Sequence, residues 1–317
     1  MKTRSAVAAL FSAALLVLTG CADDELEDDK ADDPATTPSA SGGGSVTIGS
    51  QNFDEAALVT AMYAGVLEDA GYDVTTKLVG RRDIYVNQMP GSIQIAPEYV
   101  GGIADFMNTT VNGEDAESIT TSDTQESVDA VAPLLADKGL TLLEPSEATS
   151  QNAYFITQER SDSEGITKLS DLEGQSVVLA AHEDCAGRAD CEAGLKDVYG
   201  MDITELLPLG YASPQTYKAV LDGEADLGQT GTLDGTLADQ GLVLLEDDRG
   251  IQPAQNLIPL VAEDFLAEHP DVEAVLNDLM AALDNETLGE LIVQVTRDRE
   301  TPEDVAEQFL ADAGLVG

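Results

Sequence analysis

From Ser45 onward, short apolar segments alternate with amphipathic helical ones. This alternation is the strongest constraint on the fold, because strands separated by helices build a mixed or parallel sheet with helices on its faces. Strands are predicted at 45–48, 74–79, 93–96 and 140–143. Asp54 is placed to cap the first helix, which carries Ala57, Leu58, Ala61, Met62, Gly65 and Val66 on one side, and Gly71 is placed to end it. Further helices are predicted near 83–89, 99–107 and 122–138. The rhythm resumes with strands at 153–157, 176–180, 206–209, 225–227 and 242–245, and Ser213-Pro214 starts a helix with proline at its first position. Residues 253–261 break the rhythm. From Glu263 to Val316 the chain reads as helices, one of them opened by Thr301-Pro302-Glu303. Two βα units and a helical tail imply two α/β lobes.

Composition removes several functions. Against 60 acidic residues stand 15 basic ones, a formal charge of -45 that repels nucleic acid, and the remaining acid reads as a highly solvated surface. An apolar content of 43% supports real cores, and a mean hydropathy near zero argues against a multi-span membrane protein. No Gly-x-Ser-x-Gly elbow, His-Glu-x-x-His helix or phosphate-binding Gly-x-x-x-x-Gly-Lys loop is present, and His182 and His269 are the two histidines. Paired carboxylates carry no information in a chain with so many. No catalytic residue, cofactor or metal is expected, and an enzyme, such as a secreted hydrolase, is the minority reading.

The amino terminus specifies a compartment. Two basic residues precede an apolar stretch from Ala6 to Leu18, as in a secretory signal peptide over 1–20 that is too short to span a bilayer comfortably. Leu18-Thr19-Gly20-Cys21 resembles the bacterial lipobox, which makes Cys21 the candidate lipid-anchored amino terminus; an ordinary signal peptide with a chance cysteine is the alternative. Residues 21–44 hold an acidic run, then Pro34, Pro38 and a Gly/Ser stretch, and read as a flexible tether. A calcium site in the acidic run lacks the ligand spacing and central glycine of a calcium loop. The protein is thus expected on the extracytoplasmic face of the cell membrane. There, Cys185 and Cys191 are most economically a disulfide closing a small loop; a metal site recruiting His182 has no clear fourth ligand.

Two α/β lobes on an exported lipoprotein with no catalytic fingerprint read as a solute-binding protein whose ligand sits between the lobes. The segments Ile48-Gly49-Ser50-Gln51-Asn52-Phe53-Asp54-Glu55, Pro97-Glu98-Tyr99-Val100-Gly101-Gly102, Gln151-Asn152-Ala153-Tyr154, Leu244-Leu245-Glu246-Asp247-Asp248-Arg249 and Gln252-Pro253-Ala254-Gln255-Asn256 occur in order. They resemble the substrate-binding proteins of glycine betaine, choline and carnitine ABC transporters, and the resemblance runs from about Ser45 to the end of the chain. It implies a two-lobed periplasmic-binding-protein fold of type II-like architecture, with two crossing segments joining the lobes. Lobe one is expected at 45–148 plus 253–317 and lobe two at 149–252. The implied partners are a small quaternary ammonium solute and the permease subunits of an ABC importer, and a monomer is expected.

Members of that family commonly hold a quaternary ammonium group against tyrosine faces, since the ring quadrupole attracts a cation that makes no hydrogen bonds of its own. The resemblance puts Tyr99 and Tyr154 in such a cage, with Tyr85 as a third wall; Asn52 and Thr230 lie in matching segments and join the candidates. On this expectation, replacing Tyr99 or Tyr154 by Ala weakens binding without unfolding the protein. The departures bear on the solute. Gly231 stands where relatives often carry an aromatic residue and Gln255 where they often carry a tyrosine, which admits a different polar or zwitterionic solute. Arg82, in Gly80-Arg81-Arg82, is a candidate clamp for a ligand carboxylate, or else a surface arginine neutralising nearby acid.

Overall fold

A computed structural model describes residues 43–113 and 115–317, so the signal peptide, Cys21 and nearly all of the acidic tether lie outside the described residues. The first sheet is built from β1 (Ser45–Gln51), β2 (Asp73–Val79), β3 (Ile95–Tyr99), β4 (Leu140–Leu142) and β10 (Leu257–Ala262), in the order β2-β1-β3-β10-β4. The second holds β5 (Asn152–Thr157), β6 (Ser176–Ala181), β7 (Asp202–Pro208), β8 (Leu227–Gly231) and β9 (Leu242–Leu245), in the order β7-β6-β8-β5-β9. The two orders are the same pattern. In each, three parallel strands are joined by one antiparallel strand that has crossed from the other lobe, β10 beside β3 and β5 beside β8. The molecule is a two-lobed α/β protein of the type II-like class.

Helix α1 (Asp54–Asp69) corrects one expectation: its N-cap is Phe53, with no side-chain capping bond, and Asp54 is the first helical residue, where its charge complements the helix dipole. Gly71 follows the helix with φ 91°, a conformation natural to glycine. The buried surface of α1 is also wider than one face, since Leu58, Val59, Met62, Tyr63, Val66 and Leu67 are all buried. The helix lies between the sheet and α11 (Pro302–Asp312), close enough that a Cβ on Gly65 would meet Leu310 Cδ1 at 2.5 Å.

The remaining lobe-one helices are α2 (Arg82–Val86), α3 (Val100–Asn112), α4 (Thr124–Ala136), α8 (Glu263–Glu268), α9 (Asp271–Ala281) and α10 (Asn285–Thr296). Lobe two carries α5 (Gln158–Glu164), α6 (Glu192–Asp197) and α7 (Pro214–Leu221). The start signals at Ser213 and Thr301 operate as capping hydroxyls, accepting from Thr216 N at 3.1 Å and Asp304 N at 3.2 Å.

The largest miss is β10. Residues 253–261 read as an interruption, yet all of Leu257–Ala262 is buried in the middle of the first sheet. A strand covered on both faces has no polar alternation to reveal it, and Pro259 argues against a central strand. The sheet accommodates that proline by pairing it with Pro97, so the two residues that lack an N–H share one rung. Smaller differences occur at β7, which starts at Asp202, and β8, which starts at Leu227 and carries Gln229-Thr230-Gly231 to the lobe boundary.

Candidate functional site

In both sheets the first strand of the parallel trio lies between the other two, which makes its carboxyl end a topological switch point where ligands bind in open α/β sheets. For β1 and β3 this places Asn52, Phe53, Glu55, Glu98 and Tyr99 at the edge of lobe one. For β6, β7 and β8 it places His182, Tyr211 and Gly231 at the edge of lobe two. The crossing segments lie between: Thr149 bridges Asn256, and Gln151 Nε2 donates to Pro253 O at 2.7 Å.

The lobe-one candidates form one cluster. Arg82 Nε donates to both oxygens of Glu98, at 2.9 and 3.1 Å, and the fully buried Tyr85 donates its hydroxyl to the same carboxylate. Burial, then the Glu98 charge, drives the Tyr85 phenol far above its ordinary range. Tyr85 is therefore a core residue, and Arg82 neutralises a buried acid. Tyr99 is half-buried and donates its hydroxyl to Glu55, whose carboxyl is raised above its ordinary value chiefly by burial, against the lowering effect of the bonds from Tyr99 and Ser150. Gln255 acts as a cap: its Oε1 accepts from Gly102 N at 3.1 Å, beside Gly101 N donating to Ala254 O at 2.9 Å, so the second crossing segment satisfies the first turn of α3. Asn52 is exposed at the end of β1.

In lobe two, Tyr154 is 1% exposed, and its hydroxyl donates to Asp190 O at 3.0 Å inside the loop closed by the Cys185–Cys191 disulfide. Its ring packs in the lobe-two core, and the residue lines a separate cavity of about 320 Å³ with Asn152, Gln252 and Asn285. Thr230 is likewise buried, and its hydroxyl donates to Asp234 Oδ2 at 2.6 Å. The same oxygen accepts from Tyr217 at 2.6 Å, while Asp234 Oδ1 accepts from the Thr236 hydroxyl at 2.6 Å. The seven ligand candidates thus do not converge on one point.

What does converge between the lobes is a cavity of about 390 Å³. Glu55 reaches it from lobe one, Ser150 and Gln151 from the first crossing segment, Tyr211, Tyr217, Thr230 and Asp234 from lobe two, and Ile292 and Thr296 from α10. Two carboxylates and two phenols line it, and no lysine or arginine does. Tyr211 is 44% exposed, yet its phenol is pushed up to about 12, by burial first and then by Glu55 and Asp234. Glu55, Tyr211, Tyr217 and Asp234 were not singled out from sequence. Tyr211 had a signal, since it stands in the short loop between a strand end and a helix start, the position at which α/β sheets present ligand contacts. A larger groove of about 520 Å³ lies along α1, β2 and α11; it is lined from lobe one alone and has no element from lobe two. Among the described residues no cluster of His, Cys, Asp and Glu is arranged to hold a metal ion, and no helix is long and apolar enough to cross a membrane.

Comparison with known proteins agrees with this architecture. The chain is 28% identical over 281 residues to the glycine-betaine-binding protein of Pseudomonas aeruginosa, covering 85% of this chain and 88% of that one. It is 28% identical over 283 residues to the glycine betaine-binding protein YehZ of Escherichia coli, covering 85% and 90%. The solved structure of apo YehZ superposes with a TM-score of 0.73 at 26% identity over 86% of this chain and 99% of that one. The family described as the substrate binding domain of ABC-type glycine betaine transport systems matches residues 44–312. The chain belongs to that family of ABC-transporter substrate-binding proteins.

Proposed function

We propose that the cleft captures a small quaternary ammonium osmolyte, such as choline or glycine betaine, and that closure of the lobes presents it to the permease of an ABC importer. In keeping with its family, the chain is a binding protein and not an enzyme. The observation that carries the choice of solute is the inter-lobe cavity lined by Glu55, Asp234, Tyr211 and Tyr217 with no basic side chain. A permanent cation gains from both charges and from ring faces, at roughly 0.5 to 2 kcal/mol per cation–π contact. A carboxylate in the same cavity meets two like charges, and Arg82, paired with Glu98, is not among the residues that line it. Of these two solutes, choline, which carries a net positive charge, is therefore favoured over glycine betaine, a zwitterion. Ligand free energy then shifts the open-to-closed equilibrium, with the crossing segments as hinge.

The test is a thermal-shift and calorimetric panel of choline, glycine betaine, carnitine, amino acids and sugars. A ligand at about a hundred times its Kd adds roughly 2.7 kcal/mol of stability. Choline binding more tightly than glycine betaine supports the reading, and binding confined to amino acids or sugars sinks it. On the same reading Cys21 carries the lipid and residues 21–44 tether a monomer to the membrane. Mass spectrometry of the mature amino terminus tests this, and an unmodified Cys21 refutes it.

A further inference from the structure

Gly231 ends β8 at the cleft. A Cβ built on it would meet the Tyr211 hydroxyl oxygen at 2.5 Å, and its other neighbours, Tyr211 Cζ and Gln151 O, stand at 3.6 Å. Its backbone is outside the left-handed region, so what a β-carbon there would meet is the far end of the Tyr211 side chain, which now fills that space and would have to shift. That tyrosine comes from a different element, the loop between β7 and α7, and the loop is held from both sides. Leu209 N and Gly210 N both donate to Ala181 O, at 3.0 and 3.1 Å, and Ala212 N donates to Gln229 O at 3.3 Å. Ala212 holds φ 46°, a left-handed conformation that a residue with a β-carbon adopts only when its surroundings impose it. The strained residue is the one that follows Tyr211 and turns the chain into the Ser213 cap. Although the hydroxyl is pressed onto Gly231, much of the ring remains open to the cavity that Glu55 enters from the opposite lobe.

We propose that Tyr211, seated in the side-chain space left by Gly231, is the specificity-determining wall that lobe two presents to the cationic group of the solute. The inference rests on the reading of the solute as an organic cation. Gly231 and the left-handed turn at Ala212 are positioning devices for the ring, and closure brings that ring toward Glu55.

Calorimetric titration of the full chain with choline and with its uncharged isostere 3,3-dimethyl-1-butanol tests this, using Tyr211→Ala, Tyr211→Phe, Gly231→Ala and the Tyr211→Ala/Gly231→Ala double variant. Tyr211→Ala is expected to raise the Kd for choline about tenfold and to narrow the preference for choline over the isostere, the size of one cation–π contact. Tyr211→Phe keeps the ring and stays within about threefold of wild type. Gly231→Ala displaces the ring and weakens choline, with no further loss in the double variant because the two substitutions act on one element. Thermal unfolding of each variant separates lost binding from lost folding. Wild-type affinity in Tyr211→Ala, or additive losses in the double variant, overturns the inference while leaving the solute reading intact. A wild-type chain that takes no quaternary ammonium probe overturns the solute reading, and this inference with it.

Discussion

Arg82 Nε lies 2.9 Å from Glu98 Oε1, and Glu98 is 1% exposed at its side chain. The pair joins the start of α2 to the end of β3, and a Cβ on Gly102 would meet Arg82 Nη2 at 2.5 Å, so the guanidinium is packed against the first turn of α3 as well. This fixes the lobe-one edge of the cleft before any solute arrives.

Removing one partner of that pair strands a buried charge. Arg82→Met is expected to cost about 3 kcal/mol in urea unfolding, and Arg82→Met/Glu98→Gln to recover most of that loss, since a neutral pair no longer needs its cation. Equal losses in the single and double variants would show that packing of the arginine stem, and not charge, is what matters.

Tyr154 and Tyr99 should behave differently. Tyr154→Ala removes a fully buried ring and is expected to destabilise by about 3 to 5 kcal/mol, whereas Tyr154→Phe gives up only the bond to Asp190 O, at about 1 kcal/mol. This differs from the expectation that alanine at Tyr154 spares the fold. Chemical denaturation of the two variants checks it; a stable Tyr154→Ala protein would mean that the ring moves into the cleft in solution.

Glu55 predicts a pH dependence with a definite sign. Its folded carboxyl lies above the ordinary 4.5 because of burial, so the folded chain holds this proton more tightly than the unfolded one. The contribution to stability is full below 4.5 and is lost as pH rises through the raised folded value. Glu55→Gln is therefore expected to gain stability at neutral pH. A bound cation favours the carboxylate, so choline binding should weaken as pH falls through the raised folded value and should release a proton there. Calorimetry in buffers of different ionisation enthalpy measures that proton; its persistence in Glu55→Gln would assign it to another group.

The Cys185–Cys191 bridge spans a separation of 6 residues, and the loop it closes supplies the Asp190 carbonyl that accepts from Tyr154 and from Gln252 Nε2. For so short a loop the chain-entropy relation gives about 2 kcal/mol. Replacing both cysteines by alanine should lower the melting temperature accordingly and leave choline affinity within about twofold, because neither sulfur lines the inter-lobe cavity. A large loss of affinity would instead make the loop part of the cleft.

Features set by local chemistry were legible in the sequence. The alternation of strands and helices, the helix starts at Ser213 and Thr301, the stop at Gly71 and the ordered motifs that mark the family all depend on residues close together in the chain. The cavity was not legible in this way. Tyr85, Tyr99 and Tyr154 are equivalent letters in motif terms, yet one lies on a buried carboxylate, one on a cleft acid and one beneath a disulfide loop.

The sequence by itself determined the two-lobed α/β class and the binding family, because periodicity, caps and motif order are written along the chain. Only the tertiary structure decided that β10 enters the first sheet with Pro259 opposite Pro97, that Arg82 pairs with Glu98, and that Tyr211 fills the space over Gly231. The reason is that burial and side-chain direction at strand ends are set by elements far apart in the chain, and no local pattern records which of them will meet.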